Sequence, residues 1–167
     1  FPIRKSIWPE RRRASGTDSA AVWEAFDAED AMNYKIISIP TVPTQGMGSL
    51  SFFEAEETMD FPIRRIYYIH GVEKDVQRGA HAHRALKQLL FCPYGRILIK
   101  LDDGRERREV LLDDPAKGLV LYPGLWRDML WLQDDSVLCV AASEHYNPQD
   151  YIRDYGEFLE FVHQKEE

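Results

Sequence analysis

Two histidines separated by one residue, His81 and His83, are the side chains best suited to chemistry, and they lie in the stretch RGAHAHRALKQ. The alternation of polar and apolar residues there is typical of a β-strand, in which positions i and i+2 face the same side. Both imidazoles would therefore share one face, roughly 6.5–7 Å apart along the strand. Such a pair can ligate a metal, transfer protons, or have no chemical role.

A metal site is the interpretation that the neighbouring residues support least. A zinc-type site needs three or four ligands, and small β-barrels usually complete the set with a carboxylate a few residues on and a distant histidine. Here Gln88, a weak neutral ligand, occupies the carboxylate position beside Lys87, and Trp126 stands where the third histidine is expected. We therefore expect no metal and no other cofactor.

Two interpretations of the pair do not need a metal. In the first, one histidine is a hydrogen-bonded core residue and the other is solvated. In the second, the pair does acid–base work, because an imidazole with an ordinary pKa near ~6.5 can take and return a proton at neutral pH. Groups suited to a polar, phosphorylated substrate lie nearby: Arg78 or Arg65 for a two-point phosphate contact, Gln88 for a hydroxyl, and Trp126, Tyr67 and Tyr68 for flat faces.

The elements that must position these side chains are strands, because residues 33–142 are dense in β-prone stretches separated by turn residues. Short strands at this spacing predict an antiparallel sandwich or barrel. Asp-Gly in LDDGRE is the clearest hairpin signal. The predicted strands are YKIISI, SLSFF, RRIYYIH, AHAHR, KQLLFC, RILIKL, REVLL, GLVLY, DMLWL and SVLCVA.

The two ends of the chain differ from this strand-rich region. Residues 148–163 show apolar residues at helical spacing, which predicts a C-terminal helix whose aromatic side chains belong to the core. Residues 1–32 are polar and begin basic, and we expect a partly flexible extension with a short helix over AAVWEAFDAEDAM. The main domain is then residues 33–167.

Composition excludes several classes of function. A chain of 167 residues that is 44% hydrophobic suits one domain with a sizeable core. No apolar run approaches ~18–20 residues, and FPIRKSIWPERRRASG has no signal-peptide core, so we expect a cytoplasmic protein without membrane association. A net charge of −7 argues against a nucleic-acid binder, although a local arginine cluster can still hold an anionic small molecule. Cys92 and Cys139 lie in apolar stretches, which predicts buried free thiols.

Six segments in this order resemble the sugar nucleotide 3,4-ketoisomerases: GSLSFFE, FPIRRIYYIHG, RGAHAH, QLLFCPYGRILIKLDDG, GLVLYPGLW and YNPQDYIRDYGEF. The resemblance, which covers roughly residues 33–160, implies an all-β cupin with a jelly-roll barrel, a C-terminal helix and no catalytic metal. It implies a homodimer that moves the keto group of dTDP-4-keto-6-deoxy-D-glucose from C4 to C3, toward 3-amino-3,6-dideoxy sugars. Such domains also occur fused to a sugar N-acetyltransferase, which suits a chain that begins with Phe1.

The resemblance also implies roles for individual residues. His81 and His83 are expected to be catalytic, with Tyr68 as the tyrosine of the preceding strand. Arg78 corresponds to the arginine before the histidine pair and is the best candidate to hold the diphosphate. The other expected substrate-binding residues are Arg65, Tyr67, Gln88 and Trp126, while Arg127 is either a further diphosphate candidate or an ordinary surface charge. Which histidine acts on carbon and which on oxygen stays open.

Two other functions stay open at this stage. A dTDP-sugar 3,5-epimerase would use a histidine base and a tyrosine acid, and those barrels usually pair the histidine with an aspartate. The sequence offers no suitably placed aspartate near His81 or His83. A non-catalytic sugar-binding cupin would bind the ligand without exchanging its carbon-bound protons with solvent.

Overall fold

The computed structural model describes residues 32–164, and the structural statements below concern that part of the chain. It contains twelve β-strands, a short 3-10 turn at Pro148–Asp150 and one α-helix. The bounds are β1 Tyr34–Ser38, β2 Thr41–Thr44, β3 Gly48–Ser51, β4 Arg65–Ile69, β5 Gln77–His83, β6 Gln88–Tyr94, β7 Ile97–Asp102, β8 Arg107–Leu112, β9 Lys117–Leu121, β10 Trp126–Trp131, β11 Val137–Ala142, β12 Tyr151–Ile152 and α1 Tyr155–His163.

The strands form two five-stranded antiparallel sheets, β1-β9-β6-β11-β4 and β12-β5-β10-β7-β8, while β2 and β3 form a separate two-stranded hairpin. The predicted all-β class and C-terminal helix are confirmed. The sheets lie face to face as a sandwich rather than closing into one barrel, because the strand ladders run within each sheet and not between them. A jelly roll is such a double-sheet arrangement.

The main hydrophobic core fills the space between the two sheets. In β7, Ile97, Ile99 and Leu101 alternate into this core and are fully buried, as the period of two of a strand requires. Side chains from the opposite sheet meet them there, among them Leu90, Leu119 and Val140. Met32, which the sequence assigned to the extension, is also buried in this core.

The strand predictions are confirmed, since each of the ten predicted stretches contains a strand. The LDDGRE hairpin is confirmed as well: Asp102 pairs with Arg107, and Gly104 takes the left-handed backbone at φ 93°. Strand β2 was not predicted, because Pro43 lies within it and proline lacks a ladder donor.

The C-terminal helix begins later than predicted. Asp154 caps it by accepting a hydrogen bond from the Glu157 amide, so α1 begins at Tyr155 and not at residue 148. The residues before it form the 3-10 turn and β12, where Tyr151 and Ile152 pair with β5. Of the predicted extension over residues 1–32, residues 1–31 lie outside the described residues, and with them all of the predicted short helix except Met32.

The described residues also include both cysteines of the sequence. Cys92 and Cys139 are free thiols as predicted, although Cys139 is only half-buried. No helix within residues 32–164 is long and apolar enough to cross a bilayer.

Candidate active site

A β-bulge in β5 turns the two histidines toward the space between the sheets. In the ladder with β10, His81 lies opposite Arg127 and Gly79 opposite Asp128, so Ala80 is an extra residue without a partner. Gly79 and Ala80 have positive φ angles of 101° and 56°, which accommodates the insertion. Because side chains alternate with a period of two, one inserted residue reverses the face for every later position. Without the bulge, His81 would face the outside of the sheet.

His81, His83 and Tyr151 form an aromatic cluster at this inner face. The two imidazole centroids are 5.0 Å apart in an edge-to-face arrangement. The Tyr151 ring lies 5.1 Å from His81 and 4.4 Å from His83. The sequence placed Tyr151 among the core residues of a helix, and that prediction was wrong, because Tyr151 lies on β12 directly opposite His83.

An aspartate lies beside the histidines, contrary to the sequence-based expectation. Asp150 accepts a hydrogen bond from His83, with 2.7 Å between Nδ1 and Oδ2, although the two residues are 67 positions apart. His83 Nε2 is buried and has no hydrogen-bond partner among the described residues. Because an ionised carboxylate only accepts, His83 carries its proton on Nδ1 and presents a bare Nε2.

Both imidazoles are neutral at neutral pH. Burial, together with the nearby charge of Arg127, lowers the pKa of His81 from 6.5 to about 3. Burial and the same charge also hold the pKa of His83 far below its ordinary range. Each ring is therefore ready to accept a proton, and neither starts as an imidazolium.

Arg127 is the most unusual charged group of the described structure. Arg127 is 2% exposed, and its Nε and both terminal nitrogens lack a hydrogen-bond partner within residues 32–164. Burial lowers the pKa of Arg127 from 12.5 to about 10, so the guanidinium still carries its charge at neutral pH. A buried guanidinium without a hydrogen-bond partner is costly, which indicates a site that a ligand oxygen completes. The alternative that Arg127 is a surface charge is wrong.

The inward-facing tyrosine of β4 is Tyr67, not Tyr68. Tyr67 packs against the main core, and its phenol oxygen accepts a hydrogen bond of 2.9 Å from Gln88 Nε2. Tyr68, the next residue, is 63% exposed on the outer face, opposite Cys139. Tyr67, which Gln88 holds in place, therefore takes the inward position that was expected of Tyr68. Burial raises the pKa of Tyr67, so its phenol is neutral and retains a proton to donate.

Two expected substrate-binding residues are not brought into the site. Trp126 faces the outer side of β10 and packs against Tyr155 and Phe158 of α1, with ring centroids 5.3 and 5.6 Å away. It follows that Trp126 belongs to a structural cluster, because its neighbour Arg127 takes the inward position. Arg78 is exposed in β5 before the bulge, opposite Met129, and does not line the cavity that adjoins the histidine site.

A cavity of about 250 Å³ adjoins the histidine site. Arg65 lies along it, with its guanidinium 5.3 Å from the Tyr67 ring centre and 5.6 Å from that of Tyr146. Arg65 Nε is buried and has no hydrogen-bond partner in the described part of the chain. The cavity is lined by Arg65, Leu86, Glu144, His145, Tyr146, Asn147, Asp150 and Tyr151. Of the arginines expected to hold phosphate, Arg65 is the one placed at a cavity.

A family model described as FdtA, WxcM-like, C-terminal, matches residues 32–163. The chain belongs to this family. It is 37% identical over 131 residues to the TDP-4-oxo-6-deoxy-alpha-D-glucose-3,4-oxoisomerase of Aneurinibacillus thermoaerophilus, a match that covers 78% of this chain and 94% of the relative. The resemblance to the sugar nucleotide 3,4-ketoisomerases is thereby confirmed.

Solved structures of the same family share this fold. The crystal structure of QdtA, a sugar 3,4-ketoisomerase from Thermoanaerobacterium thermosaccharolyticum in complex with TDP, superposes with a TM-score of 0.77 at 35% identity, covering 80% of this chain and 96% of QdtA. The rmlC epimerase of Mycobacterium tuberculosis is more distant, with a TM-score of 0.63 at 22% identity over 73% of this chain and 68% of the epimerase. That likeness concerns the fold alone.

No group of three or more His, Cys, Asp or Glu side chains within residues 32–164 is arranged to hold a metal ion. The polar side chains near His83 instead include Asp150, Tyr151 and the arginines Arg65, Arg127 and Arg153. Metal-free catalysis stays a prediction that only measurement on the purified protein can test.

Proposed function

We propose that this protein is a sugar nucleotide 3,4-ketoisomerase that moves the keto group of dTDP-4-keto-6-deoxy-D-glucose from C4 to C3 by histidine acid–base catalysis. The observation that carries the proposal is the pair of neutral imidazoles, His81 and His83, beside the buried and unpartnered guanidinium of Arg127. Bases ready to accept protons and a fixed positive charge are what an enolisation needs.

The reaction moves two protons. A base removes the proton from C3, which the C4 carbonyl acidifies, and the electron pair forms a C3–C4 double bond while negative charge develops on O4. Protonation of O4 gives the enediol, whose C3–C4 double bond is still in place. The carbonyl at C3 forms only in the next step, when O3 loses its proton. In that step the electrons of the double bond take up a proton at C4, so one proton has moved from C3 to C4 and another from O3 to O4.

His81 and His83 perform these transfers, since each presents a neutral ring and their centroids are 5.0 Å apart. Arg127 stabilises the negative charge of the enediolate, because a guanidinium without a protein partner is free to hydrogen-bond a substrate oxygen. The Tyr67 hydroxyl donates to the same oxygens, since Gln88 already supplies the hydrogen bond that it accepts. This replaces the role that the sequence suggested for Tyr68.

The nucleotide lies in the cavity that Arg65 lines. The Arg65 guanidinium lies between the rings of Tyr67 and Tyr146. It is close enough to the histidines for one substrate to contact both Arg65 and the histidine pair. A diphosphate offers the charge that an arginine binds at two points. Arg65 therefore replaces Arg78 as the leading candidate to bind the diphosphate.

A 3,5-epimerase is the second candidate, because the Asp150–His83 hydrogen bond is the arrangement expected of those enzymes. The deciding experiment is incubation with dTDP-4-keto-6-deoxyglucose in heavy water, followed by NMR. The ketoisomerase moves the carbonyl to C3 and introduces deuterium at C4. An epimerase keeps the carbonyl at C4 and introduces deuterium at C3 and C5, while a sugar-binding protein introduces none.

Two properties expected from the family belong to this proposal. Activity should survive exhaustive chelation, and a bound metal whose removal abolishes turnover would contradict it. The protein should also be a homodimer, because the hairpin β2–β3 is exposed along its whole length and Val42 and Leu50, paired across it, face solvent. Light scattering that finds only monomer at micromolar concentration would contradict the dimer.

A further inference from the structure

We propose that Asp150 is a positioning residue for His83: its carboxylate holds the imidazole proton on Nδ1 and so makes Nε2 the nitrogen that exchanges protons with the substrate. The proposal rests on the proposed function, and it assigns a role to a residue that lies far from the histidine motif in sequence. The 2.7 Å contact between Nδ1 and Oδ2 is its first support.

The carboxylate of Asp150 is fixed at both oxygens. Oδ2 accepts from His83, while Oδ1 accepts a 2.8 Å hydrogen bond from the amide of Ala85. The Asp150 carbonyl also accepts from the Arg84 amide at 3.0 Å. With its main chain and both oxygens engaged, the carboxylate keeps one orientation and selects one tautomer of the ring.

The opposite nitrogen of the ring is left ready for chemistry. His83 Nε2 is buried and has no protein partner among the described residues. A bare nitrogen in a buried site is retained at a cost, unless a ligand supplies its hydrogen bond. The substrate is that ligand, and its hydroxyl or carbon-bound proton is what Nε2 meets.

His81 and His83 are supported differently. His81 is hydrogen-bonded to the neutral backbone of Gly79, whereas His83 faces a carboxylate. When Nε2 of His83 takes a proton, the ring becomes an imidazolium close to the charge of Arg127. Asp150 offsets that repulsion, because an opposite charge within hydrogen-bond distance favours the protonated ring. Asp150 therefore acts on both the orientation of His83 and the stability of its protonated form.

Asp154 provides a matched control. It lies four residues after Asp150 and caps α1, where its side chain accepts a 2.9 Å hydrogen bond from the Glu157 amide. Asparagine caps helices about as well as aspartate. Asp154→Asn therefore makes the same chemical change in the same segment without touching His83.

The first test reads the tautomer directly from side-chain ¹⁵N NMR of histidine-labelled protein without substrate. The parent and Asp154→Asn should show His83 protonated at Nδ1 and bare at Nε2. Asp150→Asn should shift His83 toward the Nε2–H form, because an amide can turn its NH₂ toward Nδ1. Nε2–H in the parent, or an unchanged tautomer in Asp150→Asn, would overturn the proposal. This readout needs no turnover, so it stands or fails separately from the proposed activity.

The second test is a double-mutant cycle on turnover of the 4-keto sugar. Asp150→Asn should lower kcat by ~10²–10⁴-fold with KM close to that of the parent, the scale for loss of a histidine-orienting carboxylate. In the His83→Asn background the same change should cost almost nothing further, because the residue acts through His83. An equal loss in both backgrounds would show that Asp150 acts by another route and would overturn the proposal.

Discussion

The two faces of β5 and β10 have opposite characters. On the inner face, His83 and Arg127 are buried polar groups with unsatisfied nitrogens. On the outer face of the same strands, Ala82 and Trp126 pack in an apolar cluster with Phe158 of α1. The same two strands therefore contain the buried polar groups that destabilise the fold and the apolar side chains whose packing stabilises it. The prediction from this difference is that changes on the inner face alter turnover and those on the outer face alter stability.

The largest effect is expected at the histidine pair. His81→Asn and His83→Asn should each keep the fold and lose ~10²–10⁴-fold in turnover, the usual scale for a positioned general acid or base. Coupled assays of the ketone product, with circular dichroism to check the fold, measure this. If both variants kept near-parent turnover, the pair would have a structural role only.

The outer face should show the reverse pattern. Phe158 is fully buried against Trp126, so Phe158→Ala should lower the free energy of unfolding by about 3–5 kcal/mol. Turnover per folded molecule should fall far less than in either histidine variant. Urea denaturation measures the free energy of unfolding. Titration with dTDP counts the folded molecules, so that turnover can be expressed per folded molecule. A stable but inactive Phe158→Ala protein would contradict the division between the faces.

Arg127 allows the sharpest test of the comparison, because its two effects should have opposite signs. Arg127→Met removes a buried charge whose nitrogens have no hydrogen-bond partner among the described residues, which should raise the free energy of unfolding. Turnover should fall ~10²–10³-fold, as when an oxyanion-stabilising donor is lost. Arg127→Lys keeps the positive charge and serves as the control for the loss of that charge in Arg127→Met. A variant that is both less stable and fully active would refute this view of Arg127.

The diphosphate contact is expected to have a smaller effect. Arg65→Ala should weaken dTDP binding roughly ten- to a hundredfold, since a charge-assisted contact contributes about 1.5–3 kcal/mol. Arg78→Ala is the matched control, and its dissociation constant should stay near that of the parent because Arg78 is exposed and does not line the cavity. Calorimetry measures the dissociation constant of dTDP for both variants. If Arg78→Ala weakened binding more than Arg65→Ala, Arg78 would again be the leading candidate to hold the diphosphate.

The smallest effect, for one histidine over one pH unit, is a pH dependence of stability that the two site histidines create. In the unfolded chain a histidine titrates near 6.5, whereas burial holds the folded pKa of His81 at about 3 and that of His83 lower still. As pH falls below about 6, the unfolded chain binds these protons and the folded protein does not, so stability decreases. Each histidine should contribute a loss of about 1.4 kcal/mol per pH unit.

Urea denaturation between pH 6.5 and 5 measures this slope. His83→Asn should reduce this slope by about 1.4 kcal/mol per pH unit, the contribution of one proton taken up on unfolding. Identical slopes in the parent and the His83 variant would mean that His83 is not buried in its neutral form.

Much of the architecture could be predicted because strand signals are local. Alternating side chains and turn residues located ten strands and the LDDGRE hairpin, since a strand and its turn are specified by neighbouring residues. The order of motifs also indicated the family and drew attention to His81 and His83. The start of the helix was missed, because Tyr151 and Ile152 fit a helical period as well as they fit a strand.

The site was predicted only in part, because alternation says which residues share a face but not which face is buried. Sequence alone could not choose between Tyr67 and Tyr68, nor place Trp126 outside and Arg127 inside. The extra residue Ala80 reverses the alternation within β5 itself. Gly79 in RGAHAH takes φ 101°, and a glycine inside a strand pattern is a local signal from which a bulge could have been predicted.

The sequence by itself therefore determined the strands, the family and the histidine pair, since each depends on residues that are close along the chain. Tertiary structure decided which groups surround that pair. Asp150 reaches His83 from 67 residues away, and Arg127 reaches it from a neighbouring strand. Such contacts arise from packing two sheets and closing long loops, and their energies depend on burial. Burial keeps His83 neutral and leaves its Nε2 and the Arg127 guanidinium without a hydrogen-bond partner among the described residues, and only the tertiary fold decides that burial.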